Sequence, residues 1–70
     1  MIYRRWIAMF RDPKRKTVFP SVRTAAVKKE KCLRNVADFE REFPRIAKRY
    51  PFVEARRFEL MAIEGESEEL

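Results

Sequence analysis

Apolar and polar residues alternate in the first segment of the chain, IYRRWIAMF at residues 2 to 10, and no helix cap precedes it. Alternation of period two with several aromatic side chains is typical of a β-strand, whose successive side chains point to opposite faces. The pattern predicts one face with Trp6, Ala8 and Phe10 and the other with Arg5, Ile7 and Met9.

The next segment, RDPKRKTVF at residues 11 to 19, has the composition of a hairpin turn. Asp12 suits the first position of a β-turn, and Pro13 brings the φ angle that the second position requires. Residues 16 to 19, KTVF, predict a short returning strand. Pro20 is expected to limit that strand, because proline cannot donate a hydrogen bond to a ladder.

From Ser21, a plausible N-cap, the apolar spacing changes to that of a helix. Asn35 and Asp38 are expected to weaken this helix, and Asp38 is a candidate cap for a second one. Pro44 predicts a kink or a break, and Pro51 predicts the end of the helical region. One side of the first helix would carry Val22, Ala25, Ala26, Lys29, Cys32, Leu33 and Val36, and the second helix Phe39, Phe43, Ile46 and Tyr50. Whether residues 22–50 form one kinked helix or two stays open.

Residues 52 to 63, FVEARRFELMAI, predict a third strand. The order strand, strand, helix, helix, strand indicates an α+β fold: a small two-layer domain with a three-stranded, mostly antiparallel sheet and one or two helices on one face. Residues 1–63 would form this single domain, and residues 64–70 an acidic disordered tail. The expected core contains Trp6, Phe10, Phe58 and Leu60 from the strands and Val22, Leu33, Val36, Phe39 and Phe43 from the helices.

The charge of the chain is segregated. The 70 residues contain 17 Lys and Arg and 11 Asp and Glu, and four of the acidic residues lie in 64–70, so residues 1–63 carry a net charge of +10. A body of that sign attracts polyanions such as DNA, RNA or an acidic protein surface, although it also serves solubility. The acidic tail could compete for the basic face or simply keep the chain soluble.

The residue types argue against catalysis and metal binding. There is no histidine, the one glycine, Gly65, lies in the tail, and Cys32 is alone. No phosphate loop, zinc pair, other metal site or cofactor is therefore expected, and no catalytic residue is assigned. Cys32 is expected to be a small core residue. A free thiol without a signal peptide favours an intracellular, cytoplasmic location, and the short apolar runs make a membrane partner unlikely.

Nucleic-acid binding is the first functional hypothesis, because two groups of cations lie at the hairpin tip and on the polar side of the first helix. The candidate contacts are Arg11, Lys14, Arg15 and Lys16 at the tip and Arg23, Lys28, Lys31 and Arg34 on the helix. If both groups point the same way, eight cations face one phosphate backbone. Nothing in the sequence is a base-reading motif.

Docking on a larger protein complex is the second hypothesis, with a homodimer through the sheet as a variant. The outer sheet face would then be the interface, since arginine, tyrosine and methionine are common at interfaces. That face is predicted to carry Tyr3, Arg5, Ile7, Met9, Arg57, Met61 and Ile63. The alternative, that these residues belong to the core, stays open.

Two resemblances concern the layout of the chain. WIAMFRDPKRKTVF at residues 6 to 19 looks like the aromatic strand, Asp-Pro turn and basic return of the arm-binding domains of tyrosine recombinases, which usually have three strands before their helix. The strand order is also similar to that of small phage proteins that inhibit host machinery, including RNA polymerase. The second resemblance implies a phage-type regulator or inhibitor that docks on a host complex. Neither transfers a residue role.

Overall fold

The computed structural model describes residues 2–61, with the side chains of the last two left out. Its elements are β1 (Ile2–Asp12), β2 (Thr17–Ala26), α1 (Lys29–Glu42), α2 (Pro44–Arg49) and β3 (Phe52–Met61). The strands form one antiparallel sheet in the order β2-β1-β3. The predicted α+β fold is thereby confirmed, while the acidic tail lies outside the described residues. Within 2–61 neither helix is long and apolar enough to cross a membrane.

The central strand β1 builds both faces of the sheet. Ala8 and Phe10 are buried on the face that packs against α1, together with the half-buried Trp6, as the alternation predicts. Phe10 lies 5.8 Å from Phe39 of α1, centroid to centroid. Cys32 and Val36 complete this core, and Cys32 is a buried free thiol, as expected for a small core residue.

Strand β2 is much longer than predicted, and the helix expected from Ser21 is wrong. The chain stays in the sheet to Ala26, and Val22, placed on the buried stripe, is 72% exposed. Pro20 is tolerated because β2 is an edge strand, with one side free of ladder hydrogen bonds. Pairing with β1 therefore overrides the local helical spacing.

A large bulge in β2 explains the misleading spacing. Ala8 pairs with Ser21 but Trp6 pairs with Ala26, so the register shifts between them. Inside the bulge the buried hydroxyl of Thr24 accepts a hydrogen bond from the Ala8 N–H at 2.9 Å and donates to the Ser21 carbonyl at 2.7 Å. A side chain thus replaces the missing backbone partner, as a buried N–H requires.

The two helices are separate. α1 begins at Lys29 and runs through Asn35 and Asp38, so the expected weakening there is wrong. The Asn35 side chain instead donates to the carbonyl of Thr24 at 3.2 Å, which ties α1 to the bulge. The break predicted at Pro44 is confirmed.

Proline chemistry sets both ends of α2. Phe43 leaves helical geometry and Pro44 occupies the first turn of α2, where its missing N–H costs nothing. The helix ends at Arg49, before Pro51, as predicted. Leu33, expected in the core, is an exposed residue of α1.

Strand β3 presents its faces in the opposite sense to the prediction. Phe58 pairs with Arg5 and therefore lies on the outer face, while Ala55 pairs with Ala8 on the core face. The cause is a register shift near Val53, because Met9 pairs with Glu54 and Phe10 with Phe52. One extra residue at that point puts Phe52 and Ala55 on the same face. Every residue of β3 after the shift therefore lies on the face opposite to the one that regular alternation from Phe52 would give.

Candidate nucleic-acid interface

A groove of about 970 Å³ lies between the β1–β2 hairpin and α2. Its floor consists of four aromatic side chains: Phe10, Phe19, Phe39 and Tyr50. Phe10 is buried and the other three are half-buried, so part of each remains accessible. The rings of Phe19 and Tyr50 meet edge to face at 5.7 Å, a favourable aromatic geometry that fixes the floor.

Cations from two different elements stand at the rim of this groove. Lys14 and Arg15 come from the hairpin turn, and Arg49 comes from the last turn of α2. All three are exposed, and the one acidic residue in the lining is Asp12. We call this arrangement, the aromatic floor with Lys14, Arg15 and Arg49, the basic groove.

Asp12 holds the hairpin turn in shape. Its Oδ1 accepts hydrogen bonds from the backbone N–H groups of Lys14 at 3.1 Å and Arg15 at 3.3 Å, which confirms the predicted turn chemistry. Its Oδ2 lies 3.8 Å from Nε of Arg15, whose side chain is nevertheless 82% exposed. The carboxylate is thus directed at the turn itself and leaves the cations pointing outward.

Two other predicted tip residues do not line the basic groove. Lys16 is exposed and adopts a left-handed φ of 57°, which closes the turn without a glycine. The backbone N–H of Arg11 donates to the carbonyl of Pro51 at 2.9 Å, which fastens the hairpin to the segment after α2. This bond helps to keep the two walls of the groove together.

The predicted helix cations are not brought to the hairpin tip. Nζ of Lys29 lies 5.4 Å from the centroid of the Trp6 ring, which places the start of α1, with Lys28 and Lys31, beside Trp6. Trp6 and Asp12 are six residues apart in β1, about 20 Å at roughly 3.3 Å per residue.

The remaining two cations of that set are also absent from the lining of the groove. Arg34 is exposed one turn further along α1, and Arg23 is exposed in the β2 bulge with its guanidinium 5.0 Å from the Phe43 ring centroid. Of the eight predicted cations, Lys14 and Arg15 therefore line the groove and the other six do not.

Arg49 is the groove residue that sequence reasoning missed. A signal was present in the topology: a helix that ends before Pro51 must deliver the chain to the start of β3. The start of β3 pairs with the end of β1, beside the hairpin turn, since Phe52 is opposite Phe10. Arg49, the last residue of α2, is consequently brought close to the tip.

The predicted protein interface is divided by the fold. Ile7 and Met9 lie on the outer face but are only 3% and 6% exposed. Arg5 is half-buried with its guanidinium 5.4 Å from the ring centroid of the exposed Tyr3. Arg57 pairs with Trp6 and so lies on the helix-bearing face.

The last two members of that set are not described: the side chain of Met61 and the whole of Ile63 lie outside the described part of the chain. Of the five members whose side chains the structure describes, only Tyr3 and Arg5 therefore offer accessible surface on the outer face.

Comparisons of the chain with protein-family models, with curated proteins and with solved structures gave no match. The two resemblances in layout thus stay expectations of the sequence, and the residues of the basic groove themselves carry the functional argument.

Proposed function

We propose that this protein is a small non-enzymatic binding module that associates with nucleic acid through the basic groove. The observation that carries the proposal is the placement of Lys14, Arg15 and Arg49 around an aromatic floor. Cations that neutralise phosphates release condensed counterions, and aromatic rings stack on bases of any sequence. A groove with both features suits a nucleic acid better than a purely charged surface does.

The rim cations are available for a ligand. Within the described part of the chain, Lys14 and Arg49 form no salt bridge, and the contact of Arg15 with Asp12 is long, at 3.8 Å, with the arginine side chain 82% exposed and the aspartate side chain 15% exposed. A long ion pair with an exposed arginine contributes at most about 1 kcal/mol, so a phosphate competes with it easily. The cost of releasing Arg15 is therefore small.

The charge of the whole domain assists the approach of a polyanion. Residues 2–61 contain all 17 basic residues and seven of the acidic ones, a net charge of +10. A field of this sign increases the association rate of an anionic partner, and this effect weakens with salt. The basic groove then supplies direct contacts with phosphates and bases, which the net charge of the domain alone does not provide.

Binding of fluorescent DNA and RNA oligonucleotides, titrated from about 50 to 200 mM salt, tests the proposal. We expect micromolar or tighter binding at low salt and a linear fall of log affinity with log salt, with a slope of about −2 to −3 for three neutralised phosphates. No binding at the lowest salt contradicts the proposal. In that case the cations serve solubility or an acidic protein surface.

A further inference from the structure

We propose that the basic groove receives an unstacked base of a single-stranded nucleic acid, with the neighbouring phosphates on its two rims. This inference rests on the proposed function and specifies its ligand. It follows from three features of the groove: the separation of the cations on two walls, the size of the space between them, and the accessible ring of Tyr50.

The cations stand on opposite walls. Lys14 and Arg15 belong to the hairpin turn and Arg49 to the end of α2, and the aromatic floor lies between these elements. A single strand that crosses the groove therefore meets a cation, then an apolar floor, then another cation. In a single strand each sugar links two phosphates and carries a base to one side, so a base on the aromatic floor leaves its two flanking phosphates for the cations.

The size of the groove distinguishes a single strand from a duplex. Its volume of about 970 Å³ is that of a pocket for a small molecule. Such a space accepts a base or two but not a double helix. In a duplex the bases are stacked and paired inside, so a duplex reaches the rim with its phosphates and leaves the floor empty.

Tyr50 is the residue that the structure offers for stacking. It is half-buried and lines the groove, and its one aromatic pair among residues 2–61 is the edge-to-face contact with Phe19. A ring in such a pair keeps at least one face without an aromatic partner. Phe19 is less suitable, because it contacts Phe10 at 6.2 Å as well. The exposed side chain of Ile46 extends the apolar surface at the same wall.

The test compares three ligands with the unmodified protein: an oligothymidylate of about ten nucleotides, its abasic analogue of equal phosphate number, and a hairpin duplex long enough to stay paired. We expect the oligothymidylate to bind about 5- to 150-fold more tightly than the abasic strand, the range that stacking of one base supplies. The salt slopes of the two strands should be equal, because their phosphates are the same.

A pair of variants locates the stacking. Tyr50→Phe keeps the ring and should keep the preference for the oligothymidylate. Tyr50→Leu removes the ring, so the affinity of this variant for the oligothymidylate should fall to its affinity for the abasic strand. Circular dichroism and the urea midpoint serve as the folding control for Tyr50→Leu, since Tyr50 also packs against the core and an unfolded chain of this charge would still bind phosphates.

Each contrary result has a distinct meaning. Equal affinities for all three ligands, with a steep salt slope, overturn this inference and leave the proposed function in place, and so does a preference for the duplex. No binding of any ligand at low salt overturns the proposed function and this inference with it.

Discussion

The two ends of the sheet both combine cationic and aromatic side chains, but they use them differently. At the start of α1 the ammonium group of Lys29 lies 5.4 Å from the centroid of the Trp6 ring, and Trp6 packs against the core. At the hairpin end, Lys14, Arg15 and Arg49 surround an open groove above half-buried rings. In the first arrangement the cation lies against the ring, although Lys29 is itself exposed and Trp6 is half-buried, whereas no cation–π contact among the described residues involves Lys14, Arg15 or Arg49.

A basic-aromatic pattern in a sequence is therefore compatible with two different arrangements. A cation over a ring stabilises the fold and occupies the face that a base would need. Cations that stand beside a ring without covering it leave that face free. The composition of the two ends is similar, so only the geometry separates a structural contact from a candidate binding site.

Charge reversal gives the largest expected effect and tests the comparison from both sides. The variant K14E/R15E/R49E should lower nucleic-acid affinity roughly 50-fold, which corresponds to about 0.8 kcal/mol for each of three exposed ionic contacts. The matched variant K28E/K31E/R34E changes the net charge by the same amount but at the Trp6 end. Its nucleic-acid affinity should fall only a few-fold, because only the long-range electrostatic attraction is weakened. Equilibrium binding at fixed salt measures both, and equal losses would contradict the assignment to the basic groove.

The Thr24 hydroxyl gives the next largest effect, because it joins β1 to β2 between the two ends. Thr24→Val leaves the buried Ala8 N–H without its acceptor and should lower the free energy of unfolding by about 1–3 kcal/mol. Thr24→Ser keeps the hydroxyl and should cost clearly less. Urea denaturation measures both variants, and an unchanged midpoint for Thr24→Val would show that the bulge does not depend on this bond.

Removal of the Lys29 ammonium tests the structural role of the Trp6 end. Lys29→Ala should lower the free energy of unfolding by about 0.5–1 kcal/mol relative to Lys31→Ala, because Lys31 occupies the same helical turn without a ring contact among the described residues. Thermal denaturation of the two variants gives the difference. Oligonucleotide affinity should be the same in both variants. A loss of affinity in Lys29→Ala alone would place the binding site at the Trp6 end and contradict the assignment to the basic groove.

The smallest expected effect is on the emission of Trp6, the one tryptophan of the chain. Because Trp6 is four residues of β1 from Phe10, the nearest groove residue on that strand, or about 13 Å at roughly 3.3 Å per residue, a ligand in the basic groove should leave its fluorescence nearly unchanged. Titration with an unlabelled oligonucleotide measures this directly. Strong quenching at saturation would place the ligand beside Trp6 instead.

Local chemistry in the sequence predicts those parts of the fold that neighbouring residues determine. The alternation in β1, the Asp12–Pro13 turn, the break at Pro44 and the end before Pro51 all follow from a few adjacent residues. These features need no information about distant contacts. They include half of the candidate site, since the turn that carries Lys14 and Arg15 is among them.

The rest depends on contacts that are remote in the sequence. Val22, Ala25 and Ala26 fit a helical spacing, yet the hydrogen bond from Ala8 to Thr24 keeps them in a bulged strand. The register shift near Val53 likewise reverses the predicted faces of β3. Because of these errors, the prediction from sequence allows the helix cations to lie beside the hairpin tip and does not place Arg49 there. The position of a bulge is a tertiary property, and no periodicity reveals it.

The most direct test of the central claim is an NMR titration of the labelled protein with an oligothymidylate of about ten nucleotides. If the basic groove is the binding site, the largest amide shift changes will lie in residues 12–17 and 46–50, and residues 28–34 will change little. Shift changes concentrated at residues 28–34 and around Trp6, with the hairpin turn unaffected, would contradict the account.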